Sequence, residues 1–139
     1  LVVNGRNEGE WYTLGEHPMV FGRDDTLLAE ILDPCVSRRH LEVRYDDVQQ
    51  RYYALDAHSR NGVIVNGDRI RGFRALSDGD GILIGHTLLV FTEQEFSDGD
   101  TASERIAQEQ DRYATLLDEL DRKAKAYRER QLHATQQFA

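Results

Sequence analysis

Asp78-Gly79-Asp80-Gly81-Ile82-Leu83-Ile84-Gly85-His86-Thr87-Leu88-Leu89-Val90-Phe91-Thr92 places two short apolar runs on either side of Gly85-His86, behind an Asp-Gly-Asp turn signal. Two extended runs joined by two turn residues read as a β-hairpin. Outward from this hairpin the pattern repeats toward the N-terminus. Short runs, often β-branched or aromatic, at 1–3, 10–14, 19–22, 30–32, 40–45, 52–56 and 63–65 alternate with turn signals at Asn4-Gly5, Asp24-Asp25, Asp46-Asp47, Asn61-Gly62 and Asn66-Gly67. Many short strands without helical periods between them predict an all-β sandwich over residues 1–96.

Ser97-Asp98-Gly99-Asp100 ends that pattern and reads as a linker. Residues 101–139 contain no Gly or Pro and are dominated by Ala, Glu, Gln, Arg and Leu, which predicts a long α-helix. Thr101 or Ser103 would cap it, and Thr101 with Glu104 has capping-box spacing. Ile106, Tyr113, Leu120, Tyr127 and Ala134 recur every seven residues, each followed four positions later by Gln110, Leu117, Ala124, Gln131 and Phe138. The resulting stripe fits a coiled coil, and with it a homodimer through 101–139, although glutamine at two seam positions weakens it. A helix folded back onto its own sandwich, or a spacer toward another domain, fits the same stripe.

The 139 residues carry 17 Lys and Arg against 25 Asp and Glu, a formal net charge of −8. Nucleic-acid binding rests on a basic phosphate-contacting surface, so no nucleic-acid partner is expected. No apolar run reaches the roughly 18 residues of a membrane span, so no membrane insertion is expected. The single cysteine, Cys35, permits no internal disulfide and fits a reducing, cytoplasmic setting. A chain beginning at Leu1 rather than Met is expected to be a fragment of a longer protein.

Three short patterns fall on turns expected at one end of the sandwich: Gly22-Arg23, Ser37-Arg38-Arg39-His40, and Ser59-Arg60-Asn61-Gly62 followed by Asn66-Gly67. Together they make an anion site. The planar fork of Arg23 can hold two phosphate oxygens, Ser37 adds a hydroxyl donor, and Asn61 offers an amide suited to a passing peptide backbone. His40 with Ser37 is the sole nucleophile–base candidate, and their spacing into a strand does not aim them at each other. The two Ser-Asp-Gly-Asp tetrapeptides offer too few oxygens for a metal loop. No metal or cofactor is expected.

In this order and at these separations, Gly22-Arg23, Ser37-x-x-His40, Asn61-Gly62 and Asn66-Gly67 resemble the forkhead-associated (FHA) domain, over residues 1 to about 95. The resemblance implies an FHA-like (SMAD/FHA) sandwich of eleven strands, here followed by the long helix, with loops that bind phosphothreonine peptides without catalysis. Arg23 and Ser37 are similar to the phosphate ligands, Arg38 to the residue that joins them, and Asn61 to the one that holds the peptide main chain. His40 looks like the internal brace, while Gly22, Gly62, Asn66 and Gly67 shape the backbone. One position departs from the family: Arg60 stands where it usually has threonine. This arginine either replaces the lost contact with a longer charged donor or points to solvent.

The expected function is thus a non-enzymatic phosphothreonine-peptide reader in Ser/Thr kinase signalling or scaffolding, with a helical extension for self-association or relay. The alternative is a phospho-independent module that uses the same fold as a protein-interaction surface.

Overall fold

A computed structural model describes the backbone of residues 1–138 and the side chains of residues 1–134. Nine short strands form two sheets. They are β1 (Met19–Gly22), β2 (Ala29–Glu30), β3 (Leu41–Asp46), β4 (Arg51–Asp56), β5 (Val63–Val65), β6 (Asp68–Arg69), β7 (Phe73–Ala75), β8 (Gly81–Ile84) and β9 (Thr87–Val90). One sheet has the order β2-β1-β3-β4-β7 and the other β6-β5-β8-β9. All pairings are antiparallel except β1 with β2. Phe21, Leu41, Val43, Ala54, Val63, Val65, Ile82, Ile84 and Leu89 meet in the core between the sheets, as period-2 alternation requires.

The sandwich is confirmed, but with nine strands among the described residues rather than eleven. Residues 1–3 form no strand of their own but run along β9, with a bridge from Val2 to Leu89, Val3 N donating to Leu88 O at 3.1 Å and Val90 N to Leu1 O at 2.8 Å. Residues 10–14, expected as a strand, are irregular. In this region the Asn7 side chain does the work of a ladder: its Oδ1 accepts from Leu32 N at 2.7 Å and its Nδ2 donates to Glu30 O at 2.9 Å. Strands β6 and β7, of two and three residues, are too short for alternation to reveal.

The expected single helix is two, α1 (Gly99–Arg112) and α2 (Ala114–Phe138), meeting at Tyr113. Tyr113 N still donates to Glu109 O and Leu117 N to Tyr113 O, both at 2.9 Å, so the join is a bend and not an interruption. There the Tyr113 hydroxyl donates to Gly79 O at 3.0 Å, and a Cβ on Gly81 would lie 2.9 Å from that hydroxyl. The cap is Asp98, not Thr101 or Ser103. Its Oδ1 accepts from Thr101 N at 2.9 Å and Thr101 Oγ1 at 3.0 Å, because a carboxylate at the N-cap reaches the third helical amide.

The first part of the seven-residue stripe, to Leu120, faces the sandwich, whereas Gln131 and Ala134 are exposed. Ile106 and Leu120 are buried with Val3, Leu88 and Val90, and Leu83, Tyr113, Leu116 and Leu117 pack around them. Gln110, a weak seam residue for a coiled coil, donates from Nε2 to Val3 O at 2.9 Å. All four residues of β9 are therefore buried: Leu89 faces the inter-sheet core, while Leu88 and Val90 face the helices. Of the three readings of the stripe, this packing is that of a helix folded back onto its own sandwich. Phe138, last in the stripe, lies outside the described side chains.

Strand register defines two ends. Ile84 pairs with Val63, Leu41 with Asp56 and Phe21 with Leu41, which brings the loops holding Arg23, residues 33–40, residues 57–62 and Gly85-His86 to one end. The turns at Asn66-Gly67 and Ser77 to Asp80 lie at the other. From the bend near Gly79, α2 runs back to the first end, where the Tyr127 ring centroid is 6.2 Å from that of His86.

Candidate functional site

Gly22 closes β1 where the chain must touch the 37–40 loop: a Cβ there would fall 2.0 Å from Arg38 O. Only glycine fits, and the close approach lets Arg23 N donate to Ser37 O at 2.9 Å and Asp24 N to Arg38 O at 3.2 Å. The Arg23 side chain leaves this seam exposed, with Nε donating to Val36 O at 3.0 Å. That bond fixes the guanidinium plane and leaves its terminal nitrogens without a protein partner among the described residues.

His40 is fully buried and ties the loops together. Its Nδ1 accepts from Ser37 N at 3.0 Å, and Nε2 lies 2.7 Å from Gly62 O. One nitrogen accepting from an N–H and the other facing a carbonyl defines the neutral imidazole with its proton on Nε2. Ser37 Oγ accepts from Arg60 N at 2.9 Å, which leaves the hydroxyl proton to donate outward. Ser37 Oγ is not bonded to His40, so the pair makes no nucleophile and base.

Ser59 Oγ accepts from Gly62 N at 2.9 Å, and Ser59 N donates to Asp56 Oδ1 at 2.7 Å. This closed turn carries Asn61, whose Nδ2 donates to Cys35 O at 2.8 Å. Gly62 has φ +84°, and the Arg69 side chain lies across it, 2.6 Å from where a Cβ would sit. The Arg60 side chain is exposed, while its backbone holds the Ser37 hydroxyl.

Arg38 makes a long 3.8 Å ion pair with Asp24 and is otherwise exposed. Asp24 is held below the usual carboxylate range by hydrogen bonds from Thr26 N and Thr26 Oγ1, with the Arg38 charge adding to them. Arg23, Ser37, Arg38, Arg60 and Asn61 thus share one end, and with Arg39 of the same loop four exposed arginines lie there.

Asn66 and Gly67 do not join them, contrary to expectation. They form the β5–β6 turn at the opposite end, with φ +51° and +86°, and Asn66 Oδ1 accepts from Gly81 N at 2.9 Å. The reason is simple: β5 runs the length of the sheet between the two Asn-Gly pairs.

Sequence reasoning missed Asp33, the main organiser of the 33–40 loop. Its buried carboxylate accepts from Cys35 N on Oδ1, and from His86 N and Thr87 Oγ1 on Oδ2, each at 2.8 Å. A Cβ on Gly85 would meet Asp33 Oδ2 at 2.9 Å and Cys35 C at 3.0 Å, so the β8–β9 turn presses directly on the loop. The Asp33-Pro34 pair, a turn initiator, was the available signal. Beside it, burial and the Asp33 charge push the Cys35 thiol up, with Arg130 of α2 opposing.

A groove of about 880 Å³, lined by Trp11, Tyr12, Tyr52, Phe91 and Phe96 among others, opens on the sandwich side toward the far end. It does not include the loops described here.

The FHA domain family matches residues 19–85. A solved structure concerned with phosphothreonine-dependent FHA domain interactions aligns at 33% identity and a TM-score of 0.60, over 68% of this chain and 94% of its own. The chain belongs to the FHA domain family. The FHA domain of FhaA, solved in complex with the intracellular domain of Rv3910, aligns at 35% identity and a TM-score of 0.55, over 61% of this chain and 90% of its own. Among curated relatives, FhaA of Mycobacterium tuberculosis is 37% identical over 59% of this chain. The oxoglutarate dehydrogenase inhibitor of Corynebacterium jeikeium is 36% identical over 66% of it. This FHA chain spans 15% of the former protein and 61% of the latter. No helix among its described residues is long and apolar enough to cross a membrane.

Proposed function

We propose that this chain is a non-catalytic phosphothreonine-peptide reader, with Arg23 and Ser37 holding the phosphate, the Arg38 amide and the Arg60 side chain completing its cradle, and Asn61 holding the peptide main chain. The observation that carries the reading is the bracing of charged and hydroxyl donors before any ligand arrives. Arg23 Nε is fixed on Val36 O, Ser37 Oγ on Arg60 N, and buried His40 links both loops. Preorganised donors of this kind bind without first ordering their loops. The solved relatives named for phosphothreonine dependence and for a partner complex support the same reading. Residues 1–96 form the reading domain, and the helices, which begin at Gly99 inside the 97–100 segment expected as a linker, pack on β8 and β9. A homodimer through 101–139 would compete with that cover for the same stripe. The free Cys35 thiol supports a reducing, cytoplasmic setting.

The test is a titration with a phosphothreonine peptide and its unmodified twin. Only the first should bind, and Arg23→Ala should weaken it tenfold or more, since a hydrogen bond to a charged group contributes about 1.5–3 kcal/mol. Binding should also weaken below about pH 6, where phosphate loses its second charge. Equal binding of the two peptides defeats the proposal.

A further inference from the structure

We propose that Asp33, Cys35 and His86 form a binding site for a zinc-type divalent cation beside the loop end of the sandwich. A carboxylate oxygen, the thiol sulfur and an imidazole nitrogen all lie within 4.8 Å of one another. No spacing in the sequence announces this trio, because 53 positions separate Asp33 from His86. The fold joins them. Gly85 has φ +56° and fits against Asp33 and Cys35 with no room for a side chain, which sets His86 beside the 33–35 turn.

The ligands are also held in place. Asp33 is buried, and its carboxylate clamps both ligand-bearing segments through Cys35 N, His86 N and Thr87 Oγ1. A carboxylate offers about four lone-pair sites, and these three donors leave one, on Oδ1. Cys35 and His86 are half-buried, so solvent reaches the site and both side chains can rotate. Zinc bonds of about 2.0–2.3 Å place tetrahedral ligands roughly 3.3–3.8 Å apart, so closing the trio needs movements of about 1 Å.

One sulfur, one imidazole nitrogen and one carboxylate oxygen form the mixed donor set that selects zinc over calcium or magnesium, which take mainly oxygen. Three protein ligands leave a fourth position for water or an incoming donor. On binding, the thiol S–H bond breaks, its proton leaves to solvent, and sulfur donates the freed pair to the cation. Two groups of α2 face the site: the Tyr127 ring against His86, and Arg130, whose charge acts on Cys35 and opposes the cation. The site also connects to the reading end, since Cys35 O accepts from Asn61 Nδ2.

The experiment is a cobalt titration of the untagged, reduced chain, followed by displacement with zinc. One equivalent should produce a sulfur-to-cobalt charge-transfer band with tetrahedral visible bands, and zinc should bleach both. Cys35→Ser should abolish the charge-transfer band and weaken zinc by more than ~100-fold, beyond the 10–100-fold typical of an outer-shell partner. His86→Ala should weaken zinc while keeping the charge-transfer band, and Arg130→Ala should tighten zinc. Asp33 is left intact because it holds the β8–β9 turn, and circular dichroism melts establish that each variant is folded. Absence of the charge-transfer band, or zinc affinity unchanged in folded Cys35→Ser, overturns the site.

Discussion

His40 shows how a single residue can govern a site it does not line. Its ring lies between Ser37 N and Gly62 O, the amide of a half-buried residue and the carbonyl of a buried one. Replacing it with alanine strands both and opens a cavity. Each stranded group costs about 1–3 kcal/mol, so His40→Ala should lose about 2–6 kcal/mol in urea unfolding and weaken phosphopeptide binding although no ligand contact is removed. A variant of unchanged stability would show that the ring is not the brace. Arg23, Ser37, His40, Asn61 and Gly62 were legible in the sequence because each sits in a short motif whose chemistry is local. Asp33 was not, since its main partners, His86 and Thr87, are 53 and 54 positions away. Asn66 and Gly67 were placed at the wrong end because a turn signal says that the chain reverses, not on which side of the sheet it does so.

At the scale of elements, the hairpin of β8 and β9 and the strands β3, β4 and β5 were readable from alternation and bounding turns, whereas residues 10–14 look like a strand but stay irregular, with Glu10 O accepting from Val2 N and Tyr12 and Leu14 packing on the core. The helix was legible in type and period but not in its bend, which is set by Tyr113 reaching Gly79. The anchoring of α1 leads to a pH dependence. Asp78 is held below its ordinary value by hydrogen bonds from Glu93 N and Thr92 Oγ1 and by Arg105, whose Nη2 is 3.4 Å away. The N-cap Asp98 is lowered by its bonds from Thr101. A carboxyl with a lower pKa folded than unfolded binds fewer protons in the native state, so its stabilisation is present above the unfolded value near ~3.9 and is lost as pH falls below it. Melting temperature should therefore fall as pH drops from about 5 to 3, and Asp78→Asn should flatten that slope while lowering the plateau at neutral pH. An unchanged slope would mean that other carboxylates dominate.

For the whole molecule, the decisive fact is that β8 and β9 are covered on both faces, by the inter-sheet core and by the helices, while β6 at the far edge of that sheet stays exposed. The runs Ile82-Leu83-Ile84 and Leu88-Leu89-Val90 carry that signature, since a strand open to water on one side alternates apolar with polar residues whereas one covered on both sides is apolar throughout. The heptad stripe and these runs are two halves of one interface, and neither half reveals its partner when read alone. The full chain should therefore have a light-scattering mass of one chain, not the dimer that the stripe suggests. Truncation after Phe96 would expose Val3, Leu83, Leu88 and Val90 on one face, an apolar patch that soluble monomers seldom leave open. Burying one such side chain contributes about 1.5–3 kcal/mol, so the truncated sandwich should lose about 3 kcal/mol or more, bind a hydrophobic dye and self-associate. Leu120→Asp tests the same contact without shortening the chain, because a charge cannot enter the cluster with Leu88 and Val90. It should lower the melting temperature and free α2 to proteolysis while the loops that carry Arg23 and Ser37 stay intact. A truncated chain as stable as the full one, or a full chain that runs as a dimer and becomes a monomer on Leu120→Asp, would return the helices to the role of an assembly device.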